Sequence, residues 1–307
     1  ISSAYAHTAS SNTSKENLVL MLQNAGAIDG VDSDFIYSIH PFATRHSDLS
    51  MASFEVDSNI NGQLLHFQDD ELLDIQSPIN IDLNQDDRND FVLVDNFSLI
   101  LHESLATPPA IVNLSEEATT HTASLSDYPT QMSVTGLDIN NDGIDDLAVA
   151  SRSSSGVPAV QIYYGPLADY DALFSTDLDG TNGFMITDFL ALGSGTNMTL
   201  AAGDLNNDGN EDLVIGSLLQ ENINGEASGE VYVVWGGHEP YSNFSINTFV
   251  NDNRQTAART TPEGITISWE GSELESIGGV IHIDDINADG IPDLILGNST
   301  RTHLGGG

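Results

Sequence analysis

One nine-residue pattern recurs along the chain and constrains its fold more than any other feature. Between Ala201 and Ser217 the sequence reads AAGDLNNDGNEDLVIGS: an apolar run, a loop crowded with oxygen-bearing side chains, and a second apolar run. Asp204, Asn206, Asp208 and Asp212 hold loop positions 1, 3, 5 and 9, and Gly209 holds position 6. Alternate residues of a tight loop point inward together, and glycine at position 6 permits the positive φ that closes the ring. With the backbone carbonyl of Asn210 at position 7, the donors are all hard oxygens, the set Ca²⁺ prefers. The pattern returns at Asp138, Asn140, Asp142, Ile144 (carbonyl) and Asp146, and at Asp285, Asn287, Asp289, Ile291 (carbonyl) and Asp293. A looser copy runs through Asp82, Asn84, Asp86, Arg88 (carbonyl) and Asp90, with Asp87 in the glycine position. Aspartate enters the left-handed region more readily than most residues, so that loop can still close. The expectation is three calcium ions, with the looser copy as a candidate fourth site.

Rival readings of the loops fail on residues. A calcium-binding helix–loop–helix needs a bidentate Glu at position 12 and flanking helices. Position 12 here is Leu93, Val149, Ile215 and Leu296, each inside an apolar run. Acidic turns without a cation would crowd three carboxylates together, which is strongly repulsive unless protons or a metal offset it. The metal's expected role is structural: it would join the two strands flanking the loop and add folding energy when bound. A hairpin loop saturated with protein oxygens leaves little room for substrate.

Around the loops, short apolar or alternating runs fall into four-strand groups between turn signals. The groups span approximately 17–67, 78–115, 131–189 and 198–271, with a partial fifth at 278–307, after an unpatterned segment at 1–16. In the first group the would-be loop GAIDGVDSD lacks the ligands, so no metal is expected there. No segment shows helical periodicity over three turns; ELLDI (71–75) and YDALF (170–174) suit single turns. The loops start at Asp82, Asp138, Asp204 and Asp285, and four strands per repeat at this spacing mark propeller blades. Long insertions at 166–182 and 238–263 account for the uneven intervals. The fold class is therefore all-β, a β-propeller of four-stranded antiparallel blades with calcium-binding hairpin loops.

Composition narrows the partners. Seven Lys and Arg stand against 46 Asp and Glu, a formal net charge of −39. Such a chain cannot neutralise phosphates, which excludes nucleic acid and anionic membrane surfaces. It suits bound cations and favours solubility. There is no cysteine, hence no disulfide and no thiol chemistry. No apolar run reaches the roughly 18 residues that span a bilayer. The start at Ile1, without a charged or apolar leader, reads as a processed or excised product. Loops of this kind fill at extracellular calcium levels, which points to the cell exterior or surface.

The repeats resemble FG-GAP repeats, the units of the integrin α-subunit β-propeller and of many bacterial surface proteins. The resemblance covers roughly Pro78 to Ser299, and more faintly Asn17 to Phe67. Its strongest form is GITISWEGSELESIGGVIHIDDINADGIPDLILGN. Ile277-Gly278 stands where the family has Phe-Gly, and Gly297-Asn298-Ser299 where it has Gly-Ala-Pro. The family's calcium ligands carry over onto the positions 1, 3, 5, 7 and 9 named above. Family members usually build seven blades, whereas this sequence supplies about four and a half. Either strands from Ile1 onward close a five-bladed ring, or the chain is a piece of a larger propeller. The ending THLGGG, which reads as the approach to a third strand, favours the piece.

The resemblance implies an adhesion or ligand-binding module acting outside the cell on a protein or glycan ligand. Alternatives are the propeller of a secreted polysaccharide-active enzyme, or a filament or coat subunit self-associating through an open propeller edge. No nucleophile elbow, phosphate-binding loop or dinucleotide fingerprint is present, and no catalytic residue is assigned. The nine histidines read as ordinary strand or surface residues, His282 with a hydrogen bond to nearby Asp284. Trp235 and Trp269 read as packing residues, and Tyr241, Phe244 and Phe249 as exposed aromatics available to a partner.

Overall fold

The computed structural model describes residues 76–95, 98–103, 133–152, 157–167, 177–189, 198–217, 229–237, 241–249, 264–268 and 277–298. It also describes Tyr170, Leu173 and short strands at 3–9, 17–23, 27–28, 31–32, 35–39, 62–66, 111–113 and 120–124. Packing divides the chain into two units, Ile1–Asp82 with Asp86–Asp95 and Leu99–Thr122, and Leu83–Gln85 with Asn96–Ser98 and Ala123–Gly307. The architecture is all-β, in successive antiparallel sheets of the β-propeller type, with one four-residue helix among the described residues.

In the first unit, β1 (Ser3–Ala9), β2 (Asn17–Gln23), β5 (Phe35–Ile39) and β6 (Gly62–His66) form an antiparallel sheet. Between β2 and β5, β3 (Ala27–Ile28) and β4 (Val31–Asp32) pair in a small ladder where no ligand-bearing loop was expected. β1 is a correction: its small polar residues carry no alternating pattern, yet it pairs with β2 along its whole length. The expected strand at 50–56 and the turn at 71–75 lie outside the described residues. β7 (Gln76–Ile81), β8 (Asp90–Asp95) and β9 (Ser98–His102) follow. β10 (Ile111–Asn113), expected as the fourth strand of this group, instead pairs in parallel with β6 of the first sheet. The fourth strand is β11 (Thr120–Ser124), a run too polar to read as a strand.

The second unit follows the sequence closely. β12 (Ser133–Leu137), β13 (Asp146–Arg152), β14 (Pro158–Tyr163) and β15 (Gly183–Thr187) form one sheet. β16 (Met198–Gly203), β17 (Asp212–Ser217), β18 (Glu230–Val234) and β20 (Gly264–Ser268) form the next. From the insertion after β18, β19 (Phe244–Ser245) reaches back to pair in parallel with β15, and α1 (Ile246–Phe249) follows it. The same device thus occurs twice, a segment between the third and fourth strands extending the preceding sheet. β21 (Ile277–Asp284) and β22 (Asp293–Asn298) form the last hairpin.

Strand alternation explains the continuous apolar runs. Successive side chains of a strand face opposite sides of the sheet. Leu213, Ile215, Tyr232 and Val234 face the β12–β15 sheet, where they join Leu137, Ile162 and Phe184 in one cluster. Val214, Val231 and Val233 face the other way, onto Ile281, Ile283, Leu294 and Leu296, with Trp235 packed at the edge. A sheet covered on both faces needs no polar side, so β17 and β18 are buried throughout. Trp235 is therefore the packing residue expected, while Trp269 lies outside the described residues. β21 instead alternates between half-buried and exposed positions.

Tyr241 and Phe244, expected to be exposed, are buried. The Tyr241 ring stacks on Phe184 at 4.7 Å, and Phe244 lies 6.2 Å from the same ring. The cause is β19: Asn243 accepts a hydrogen bond from the Met185 N–H (2.7 Å) and donates to the Leu178 carbonyl (2.9 Å), which seats the insertion on the sheet. Phe249's side chain lies outside the described residues. Tyr170 and Leu173 fall in the expected helical turn and are buried.

Gly278, in the place of the family's Phe-Gly glycine, lies tightly against the neighbouring sheet. Its φ is +86°, and a Cβ there would meet Gly216 Cα at 2.9 Å and Val231 Cγ2 at 3.0 Å. The Thr199 hydroxyl donates to its carbonyl. A Cβ on Gly216 would lie 2.2 Å from that same carbonyl oxygen. Gly216→Ala is therefore expected to cost about 1–3 kcal/mol through overpacking, measured as a lower midpoint in chemical denaturation.

Candidate metal centres

Each loop closes the same hairpin in the same register. The residue before position 1 pairs with position 9: Ile81 with Asp90, Leu137 with Asp146, Gly203 with Asp212, and Asp284 with Asp293. Turning within the loop requires two left-handed residues. Position 6 supplies one, at Gly143, Gly209, Gly290 and, with φ +63°, Asp87 as expected. Position 4 supplies the other, at Gln85, Asn141, Asn207 and Ala288. That second requirement is not visible in the sequence, because Gln and Ala carry no signature of it.

The loop carboxylates are fixed by backbone N–H groups in a repeated scheme. At position 1, Asp138 accepts from the Asp142 and Gly143 N–H groups at 3.1 and 2.9 Å. Asp204 does the same with Asp208 and Gly209, and Asp285 with Asp289 and Gly290. Asn140, Asn206 and Asn287 each accept from the position-5 N–H, and Asp142, Asp208 and Asp289 each accept from the position-7 N–H. Asp208 Oδ1 also accepts from the Asn210 side-chain amide at 2.8 Å.

Position 9 has a different task. Asp146 and Asp212 are fully buried, and Asp90 is 1% exposed. Asp146 Oδ2 accepts from the Ile139 N–H (3.1 Å) and Oδ1 from the Gly165 N–H (2.9 Å) beyond β14. Asp212 repeats this with Leu205 (2.9 Å) and Gly236 (3.0 Å) beyond β18. In the last hairpin Asp293 accepts from Ile286 at 3.1 Å. Asp146 and Asp212 thus tie their loops to the end of the third strand. Gly165 and Gly236 are needed for the approach, since a Cβ would lie 2.3 and 2.1 Å from the carbonyl oxygens of Asp145 and Glu211.

The fourth loop keeps this frame but differs in charge. Asp82 accepts from the Asp86 and Asp87 N–H groups at 3.1 and 2.9 Å, and Asp86 from the Arg88 N–H at 3.0 Å. The Arg88 guanidinium, however, pairs with the Asp86 carboxylate, so the position-7 side chain of this loop supplies a cation to the position-5 acid. His282 and Asp284 are exposed and 4.0 Å apart, too far for the hydrogen bond expected of them.

Among the described residues no group of three His, Cys, Asp or Glu side chains is gathered into a ready-made metal site. A cation in these loops would depend on the position-3 amide oxygen and the position-7 carbonyl as well as the carboxylates. The donor chemistry fits a hard divalent cation: only oxygens, and anionic in each of the three full loops. Electrostatics agree. Burial pushes the Asp146 carboxyl up to about 8, with the charges of Asp142 and Asp138 adding to the rise and the Gly165 and Ile139 hydrogen bonds opposing it. Burial raises Asp212 in the same sense, with Asp208 adding to it.

A family model described as FG-GAP repeat matches residues 196–234. The chain contains an FG-GAP repeat. The FG-GAP match runs from just before β16 through the Asp204–Asp212 loop to the last residue of β18, the best-buried hairpin of the second unit. The neighbouring loops share its register, hydrogen bonds and left-handed positions, which extends the repeat geometry beyond the matched residues. No curated protein matches the chain significantly.

The raised carboxyls give a sign to the pH dependence without metal. A carboxyl raised in the folded state is a folding cost once ionised, and stability falls as pH climbs from the unfolded value through the folded one. Burial also raises Glu211 and Glu230. His102, held down to about 4 by burial, acts in the opposite direction but only below its ordinary value near 6.5. Between about pH 7 and pH 8 the chelator-treated protein should therefore lose melting temperature, a loss read by calorimetry. A melting temperature that rises over that interval contradicts the burial of these groups.

Proposed function

We propose that this chain is a calcium-stabilised β-propeller module acting outside the cell, where it binds a protein or glycan ligand. The observation that carries the reading is the identity of three oxygen-rich hairpin loops in register, hydrogen bonding and backbone conformation. Each holds three carboxylates on a single turn, the third fully buried in the first two loops, an arrangement that a divalent cation relieves. The proposal assigns the cation to Asp138–Asp146, Asp204–Asp212 and Asp285–Asp293, with Asn140, Asn206 and Asn287 and the carbonyls of Ile144, Asn210 and Ile291 completing the donors. The Asp82–Asp90 loop, with Arg88 on Asp86, is left without one.

Its chemistry there is structural, since the cation would neutralise the loop and hold two strands together. Sites of this kind in extracellular modules fill at millimolar calcium, which supports the exterior location. Among the described residues no helix is long and apolar enough to cross a membrane. Ligand contacts fall to the loops between strands, which a rigid repeat scaffold positions.

Elemental analysis after dialysis against millimolar calcium should find about three ions per chain. Calcium at 100 times the dissociation constant adds about 2.7 kcal/mol per site, so chelation should lower the melting temperature by at least about 5 °C. An unchanged melting temperature in chelator, with no ion retained, contradicts the proposal. For the ligand-binding half, retention on a glycan or extracellular-protein array without turnover of the retained molecule is the supporting result. Hydrolysis or elimination of an arrayed polysaccharide would reassign the module to an enzyme.

A further inference from the structure

The Asp138–Asp146 and Asp204–Asp212 loops belong to different sheets, yet the first two peptides of one are held by the other loop and by residues that follow β18. Glu211, at position 8 of the Asp204 loop, accepts a hydrogen bond from the Asp138 N–H at 2.9 Å. The carbonyl of the next residue, Ile139, accepts from the Gly237 N–H at 2.7 Å and from the Tyr241 hydroxyl at 3.3 Å. These contacts join two ligand positions. Asp212 is bonded to the Gly236 N–H, the adjacent Gly237 N–H is bonded to the Ile139 carbonyl, and the Ile139 N–H is bonded to Asp146. One continuous hydrogen-bonded path therefore runs from the position-9 carboxylate of one loop to that of its neighbour. Glu211 secures it from the side, one residue from Asp212 and directly on Asp138.

We propose that these two loops bind calcium cooperatively, and that Glu211 is the positioning residue that couples them; the inference rests on the calcium reading above. A cation that draws Asp204 and Asp212 into place fixes the Glu211–Asp212 backbone and the Gly236–Gly237 turn. Those groups in turn fix the peptides that present Asp138 and orient Asp146. Ordering already completed by the first ion is then not required of the second, which raises its affinity. By linkage the effect is reciprocal. The last loop lacks this device, because its position 8 is Pro292, whose side chain offers no acceptor. It should bind independently.

The test uses the full chain carrying Asp285→Ala and Asp289→Ala, which leaves the two neighbouring loops to titrate with calcium by calorimetry. Two ions should bind with a Hill coefficient above 1 and a coupling factor of about five or more. Adding Glu211→Ala should return the coefficient to 1 with two ions still bound, while Glu211→Gln, which keeps an acceptor oxygen, should retain the cooperativity. A Hill coefficient of 1 before Glu211 is altered, or one that Glu211→Ala leaves unchanged, overturns the coupling while leaving the calcium reading intact. No calcium uptake by the unaltered chain overturns both. Should the Asp285/Asp289 variant fail to fold, the Glu211→Ala and Glu211→Gln comparison is made on the three-site protein. There the loss of cooperativity in Glu211→Ala alone supports the coupling, and identical isotherms overturn it.

Discussion

A carboxylate taken out of water must find donors, and at Asp146 and Asp212 those donors come from two directions. Asp146 and Asp212 draw one N–H from the start of their own loop and another from the glycine that ends the third strand. Three segments of chain converge on one side chain. Loss of either donor would strand a buried polar group, which costs about 1–3 kcal/mol, more when it is charged. That requirement accounts for the register of the hairpin, the glycine at each strand end, and the length of the loop.

The same carboxylates create the problem that the rest of the loop addresses. Burial and neighbouring acids raise Asp146 far above the ordinary range, so the protein without metal holds protons or unfavourable charge at its hairpins. Calcium in the three full loops, as proposed, resolves this with the one kind of counter-charge a lysine-poor chain can obtain from outside. The Asp82 loop shows a different solution, an arginine folded back on its own position-5 aspartate. With 7 Lys and Arg against 46 Asp and Glu, the chain has few cations of its own to offset its net charge of −39.

What could be read from the sequence was whatever rests on period and spacing. The β12–β15 and β16–β20 sheets were legible because their strands are continuous apolar runs bounded by turn residues, and the D-x-N-x-D-G loops mark the hairpins between them. What escaped depends on contacts distant in sequence. β1 and β11 are held by partners rather than by their own apolar content. β10 and β19 join a preceding sheet in parallel, a pairing that no local pattern announces. Tyr241 and Phe244 looked exposed because their neighbours are polar, yet Asn243 spends its polarity on the backbone of the sheet beneath. Gly165, Gly236 and Glu211 gave no signal at all: two work by lacking a side chain, and the third lies between two loops.

The account stands on the position-9 carboxylate holding three segments together, and amide hydrogen exchange reads that directly. In calcium-containing buffer the N–H groups of Ile139, Leu205, Gly165 and Gly236 should exchange far more slowly than the exposed-loop N–H groups of Asn141 and Asn207. Exchange at those four amides as fast as in the exposed loop would contradict the account.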